Sequence, residues 1–163
     1  MWPMIFTYFH PVNIFVDLYV TSIINVDEKA QSLTTQIKIL THWPNWNMQW
    51  NKRTFCGIET FVAPKNMFWT PDISIMESIR TEFGTKESPN LLLFNYGAIV
   101  SADFLSLTTA CKMDLYRFPF DAQSCYITFQ STVYSGTSET QKSVLTNKHK
   151  ITWFILLNYL TLI

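Results

Sequence analysis

Charged residues and glycine are both scarce in this sequence. Charged residues make up 15% of the 163 positions, against about a quarter in a typical globular domain. The twelve basic and twelve acidic side chains cancel to zero net charge, which gives no electrostatic reason to expect a nucleic-acid partner. The four glycines, together with 16% aromatic residues and many β-branched ones, favour strands over helices.

Clusters of metal ligands and of catalytic side chains are lacking too. No two of the three cysteines are spaced as Cys-x-x-Cys, and the three histidines lie far apart, which argues against a zinc site. Cys56 has no histidine close to it, and no further feature supports acid–base chemistry by Asp114 and Asp121. We therefore predict that the protein is not an enzyme and that it holds no metal or cofactor.

No apolar run is long enough to cross a membrane as a helix. Residues 151–163 are nearly all apolar, but thirteen residues span roughly 20 Å as a helix, short of a bilayer core of about 30 Å. A buried terminal strand or a non-native tail is favoured over a membrane segment. Residues 1–6 lack the basic start and the apolar run of a signal peptide, so we expect an incomplete N-terminus if the protein is extracellular.

Alternating side chains mark several short strands. From Val12 to Val20 the even positions are apolar and the odd ones are polar or aromatic, which is the period of a half-buried strand. A polar turn at residues 25–29 precedes a second strand from Leu33 to Trp43, and further short strands with turn signals follow up to Val133. This pattern predicts an all-β protein, an antiparallel β-sandwich.

The most specific motif lies between Cys111 and Cys125. These cysteines enclose thirteen residues, with Phe118-Pro119-Phe120-Asp121 near the far end. The spacing alone is equally compatible with a disulfide-closed loop and with two unpaired thiols. If the loop is closed, the chain-entropy model gives about 3 kcal/mol of stabilisation for a loop of about fifteen residues.

The same motif resembles the signature loop of the Cys-loop receptors, which are pentameric ligand-gated ion channels. Further similarities lie in the first turn, the following loop and a Trp-x-Pro-Asp element, at Asn25–Lys29, Gln49–Asn51 and Trp69–Ile73. The residues of these motifs are most similar to those of serotonin-gated (type three) and related cation-channel subunits. The resemblance covers roughly residues 11–134.

This resemblance implies an extracellular ligand-binding domain at the cell membrane, with an immunoglobulin-like β-sandwich that is incomplete in this chain. It divides the sequence into an N-terminal extension at residues 1–10, a partial ligand-binding domain at 11–136, and a divergent basic and apolar tail at 137–163. The implied disulfide joins Cys111 to Cys125. The implied partners are homologous subunits in a pentamer and a small-molecule neurotransmitter, a serotonin-like amine. The residues implied to couple ligand binding to the pore are Phe118, Pro119, Phe120 and Asp121.

The resemblance also implies positions for ligand binding. Trp69 and Glu77 fall in the first loop of the family's principal face, and Tyr134 follows the Cys-loop. In the family an aromatic box holds the ammonium of the ligand by cation–π attraction. Several positions of that box carry unsuited side chains in this sequence: Lys38, Leu40, Met76, Leu92, Ala102 and Thr132. We expect a poor agonist site, because the charge of Lys38 would repel an ammonium.

Three functions remain open from the sequence. The chain is a fragment of a ligand-gated cation-channel subunit, a soluble ligand-binding protein of the same fold, or a non-functional truncated product. The absence of the family's four membrane helices favours the latter two for this chain as written. The Phe-Pro-Phe-Asp segment favours the first, because a soluble relative has no pore to which binding must be coupled.

Overall fold

The computed structural model describes residues 12–83, 88–116, 122–131, 148–154 and 160–162. These residues form ten strands in two antiparallel sheets, which confirms the predicted all-β sandwich. Short 3₁₀ turns occupy Trp46–Met48 and Lys65–Met67. The strands are β1 Phe15–Asp27, β2 Ser32–Pro44, β3 Thr60–Pro64, β4 Ser74–Ile75, β5 Ser78–Phe83, β6 Asn90–Phe94, β7 Ala98–Ala110, β8 Ala122–Gln130, β9 Lys148–Phe154 and β10 Leu160–Leu162.

The larger sheet is built around the long strand β7. Its strand order is β1-β2-β7-β6-β3, and β5 pairs with the C-terminal half of β7. The predicted hairpin of the first two strands is present, with Phe15 opposite His42 and Asp27 opposite Ser32. β1 extends beyond the predicted end at Val20. The extension was not predicted, because irregularities after Val20 and Ile23 interrupt the two-residue period of the sequence pattern.

The smaller sheet has the order β10-β9-β8-β4. In β8 the odd positions from Gln123 to Phe129 are buried, while the even positions are half-buried or exposed. Residues 151–154 and 160–162 are strand rather than helix, and β9 pairs with β8 from Ala122 opposite Phe154 to Thr128 opposite Lys148. Within the described ranges, no helix has the length and apolar character needed to cross a membrane.

Two groups of apolar side chains fill the interior. The first core cluster comprises Val16, Leu33, Ile37, Leu105, Leu107, Cys111, Met113, Cys125, Ile127 and Phe129. The second core cluster comprises Trp43, Ala63, Leu91, Leu93 and Ile99. Each fully buried Leu, Ile or Phe side chain contributes about 1.5–3 kcal/mol. The first cluster holds the two sheets together, because its members come from both of them. Thr35, fully buried, is the one described residue whose side-chain oxygen is buried without a hydrogen-bond partner.

Candidate functional site

On the larger sheet, the structure brings together four positions at which this sequence lacks the side chains expected of the aromatic box. Leu40 of β2 lies directly opposite Ala102 of β7, and Leu92 of β6 lies opposite Val100. Lys38 is two residues from Leu40 on the same strand, so its side chain points to the same face. All of these side chains are half-buried. The result is an apolar face with a lysine at one end.

The lysine of this face already has an aromatic partner. Lys38 Nζ lies 5.4 Å from the centroid of the Phe104 ring, and Phe104 is the residue opposite Lys38 on β7. This distance is within the range of a cation–π interaction. Tyr19 lies opposite Lys38 on β1. Sequence reasoning missed Phe104, because only the strand register shows that the two side chains are neighbours.

Trp69 lies at the edge of the second core cluster. Its ring packs edge-on against Trp43, with the ring centroids 6.4 Å apart and the planes at 88°. Such an arrangement is favourable for two aromatic rings. Trp69 is half-buried, so part of its surface remains accessible, while its orientation is fixed by the core.

Glu77 connects the two sheets. Its carboxylate accepts hydrogen bonds from Thr128 N at 2.8 Å and from Thr128 Oγ1 at 2.7 Å, in the smaller sheet. Its main-chain oxygen accepts from Ala110 N of the larger sheet at 2.9 Å. Nothing in the sequence near Glu77 points to Thr128, since the two residues are 51 positions apart. The hydrogen bonds of Glu77 therefore link β8 of the smaller sheet to the end of β7 in the larger sheet, and its role in ligand binding stays a prediction.

Replacing Glu77 with alanine is expected to lower the free energy of unfolding by roughly 2–4 kcal/mol, because two hydrogen bonds to a carboxylate are lost. Glu77→Gln should cost less, since the amide keeps one acceptor oxygen. Urea denaturation followed by tryptophan fluorescence measures both values. Glu82→Ala is the matched control, because the exposed pair of Glu82 with Arg80 contributes little. Equal stability of the Glu77→Ala and Glu82→Ala variants would contradict this assignment.

A cavity of about 390 Å³ is lined in part by residues of the segment that joins Trp69 to Glu77. An ion pair between Lys65 Nζ and Asp103 Oδ1, at 2.7 Å, forms part of its wall. Ser101 Oγ donates to the other oxygen of Asp103 at 3.0 Å. In the parts of the chain with described coordinates, no group of His, Cys, Asp or Glu side chains is arranged to hold a metal ion.

The disulfide joins the two sheets within the first core cluster. Cys111, just after β7, is bonded to Cys125 of β8, with their Cα atoms 5.4 Å apart. Both cysteines are buried, whereas Cys56 is exposed and free. The predicted coupling residues Phe118, Pro119, Phe120 and Asp121 lie outside the described residues, as do Thr132 and Tyr134. Their assigned roles stay predictions.

Comparison with known proteins finds similar sequences among 5-hydroxytryptamine and acetylcholine receptors. The mouse (Mus musculus) 5-hydroxytryptamine receptor 3A is 34% identical over 128 residues, covering 77% of this chain and 25% of the receptor. The human (Homo sapiens) acetylcholine receptor subunit epsilon is 30% identical over 125 residues, covering 77% of this chain and 25% of the subunit. The human neuronal acetylcholine receptor subunit beta-3 is 29% identical over 126 residues, covering 77% of this chain and 28% of that subunit.

This chain spans about a quarter of the length of these relatives. Residues 6–154 match the family model described as the neurotransmitter-gated ion-channel ligand binding domain. The match includes the whole of the predicted partial domain at 11–136 and extends into the predicted tail at 137–163, as far as the end of β9. The chain therefore belongs to the neurotransmitter-gated ion-channel ligand-binding domain family.

Proposed function

We propose that this chain is part of the extracellular ligand-binding domain of a cation-channel subunit, and that it acts as an accessory subunit with a poor amine site. The observation that carries the proposal is the Lys38 ammonium over the Phe104 ring. The exposed Phe104 ring, which lies opposite Lys38 among the altered positions, already has a cation on it. In a pentamer, homologous neighbours would supply the competent ligand sites, and this domain would take part in coupling ligand binding to the gating of the pore.

Electrostatics and side-chain chemistry both support a poor amine site. An ammonium placed about 4 Å from the Lys38 charge is repelled by about 1 kcal/mol in water and by about 4 kcal/mol at the effective dielectric near a protein surface. Leu40, Leu92 and Ala102 provide no aromatic ring. Each missing cation–π contact forfeits on the order of 1 kcal/mol. Together these effects would weaken amine binding by orders of magnitude, since about 1.4 kcal/mol is tenfold.

The same lysine supports a second candidate function, the binding of a ligand that carries a carboxylate. Lys38 is half-buried beside an apolar surface, where a charge-assisted hydrogen bond to a carboxylate is favourable. In that case the chain would still be a ligand-binding subunit, but its ligand would not be a serotonin-like amine.

Isothermal calorimetry on the 163-residue chain separates these functions. We expect serotonin and acetylcholine to bind with dissociation constants far above a micromolar. A value at or below about 1 μM would contradict the proposed poor amine site. Glutamate serves as the carboxylate probe: binding that is lost in Lys38→Met but kept in Lys52→Met, at an exposed lysine elsewhere, would support the second candidate.

A further inference from the structure

The segment Cys111–Asp114, which follows β7, is held on both sides by glutamine residues. On one side, Met113 N donates to Gln31 Oε1 at 2.6 Å, and Cys111 N donates to the main-chain oxygen of Gln31 at 2.8 Å. On the other side, Asp114 N donates to Gln123 Oε1 at 3.0 Å, and Gln123 Nε2 donates to Asp114 O at 2.7 Å. The two glutamine amides provide the bonds that a neighbouring strand would supply.

Gln31 is locked in an unusual conformation by the turn between β1 and β2. Its φ is 51°, in the left-handed region that side chains other than glycine adopt infrequently. Its Nε2 donates to Glu28 O at 2.7 Å, and Asp27 Oδ1 accepts from Ala30 N at 2.8 Å within the same turn. In this conformation both the side chain and the main chain of Gln31 accept hydrogen bonds from the Cys111–Asp114 segment.

Gln123 is fixed from the other sheet. It is the second residue of β8, next to the disulfide, and only 3% of its surface is exposed. A buried amide requires partners for its oxygen and its nitrogen, and Asp114 supplies both. The Cys111–Asp114 segment therefore lies between a turn of the larger sheet and a strand of the smaller sheet.

We propose that Gln31 and Gln123 are positioning residues that join the β1–β2 turn, the Cys111–Asp114 segment and the start of β8 into one hydrogen-bonded unit. The role of this unit rests on the proposed function: in a channel subunit, a displacement of β8 would be passed on to the β1–β2 turn, because the intervening segment is hydrogen-bonded on both sides. The disulfide alone would leave the turn free to move relative to the segment.

Amide hydrogen exchange, measured by NMR on the full chain with its disulfide intact, tests the role of Gln31. In Gln31→Gly the Met113 amide should exchange about tenfold faster, because its acceptor is lost. The Cys111 amide should keep its protection, because its acceptor is the main chain, and glycine tolerates a positive φ. Gln31→Glu retains an acceptor oxygen and should restore the protection of Met113. Unchanged exchange at Met113 in Gln31→Gly would overturn the proposal; the core amide of Leu107 reports any global loss of stability.

A double-mutant cycle tests whether the contacts form one unit. Gln31→Gly and Gln123→Leu are combined, and exchange of the Asp114 amide is compared with the product of the two single effects. A deviation of about threefold or more supports coupling of the two sides. A purely multiplicative result would overturn the proposed unit. No ligand is present in either experiment, so failure of amine or carboxylate binding to behave as proposed would leave these results unaffected.

Discussion

Replacing both Cys111 and Cys125 with alanine is expected to lower the free energy of unfolding by about 3 kcal/mol or more. The disulfide closes a loop of about fifteen residues, and the chain-entropy model assigns about 3 kcal/mol to a loop of that length. Both cysteines are also packed in the first core cluster, so the smaller alanines forfeit additional burial. Urea denaturation followed by tryptophan fluorescence, with oxidised wild-type protein as the reference, measures the change.

The control for this experiment is Cys56→Ala. Cys56 is exposed and unbonded, so its replacement should change the stability by no more than about 0.5 kcal/mol. A double variant as stable as the wild-type protein would show that the disulfide contributes nothing to this fold. Peptide mapping under non-reducing conditions gives an independent check, because a bond from Cys56 to either of the other cysteines would disagree with the structure.

Lys38→Trp is expected to raise the affinity for serotonin by about one to two orders of magnitude. The change removes a repelling charge and adds an aromatic face, which together are worth roughly 2–3 kcal/mol. It also frees the ring of Phe104, over which the Lys38 ammonium now lies. Calorimetry on the full chain measures the affinity of the variant and of the wild-type protein.

Lys38→Met separates the two contributions of this substitution. It removes the charge without adding a ring, so it should produce a smaller gain than Lys38→Trp. Lys52→Trp places the same ring on an exposed loop and should leave the affinity unchanged. If Lys38→Trp gives no gain, side-chain loss at this face is not what limits amine binding, and the geometry of the site is at fault.

The strands that alternate cleanly were predictable from sequence, and the irregular ones were not. The even positions of Val12–Val20 face the interior as predicted, because a two-residue period and burial on one face require each other. The continuation of β1 to Asp27 was missed, because its register shifts reverse the alternation. The family was also predictable, since its signature lies in local motifs that strand pairing does not alter.

Side-chain partners were the part of the candidate site that sequence reasoning did not find. The contact of Lys38 with Phe104 depends on the register of β2 and β7, and the bonds of Glu77 to Thr128 depend on how the two sheets pack. Residues 66 and 51 positions apart carry no local sign of their proximity. Glutamines such as Gln31 and Gln123 are equally inconspicuous, because an amide side chain is common on protein surfaces and gives no periodic signal.

The exposed thiol of Cys56 provides a native attachment point for a probe. It is the only cysteine of this chain outside the disulfide, and it lies in a turn whose neighbours are all exposed. A maleimide fluorophore or spin label should therefore react at a single position, with no cysteine introduced or removed. The emission of the fluorophore, or the mobility of the spin label, would report movements of the loop before β3 when ligand candidates are added, in the same molecules that are used for calorimetry.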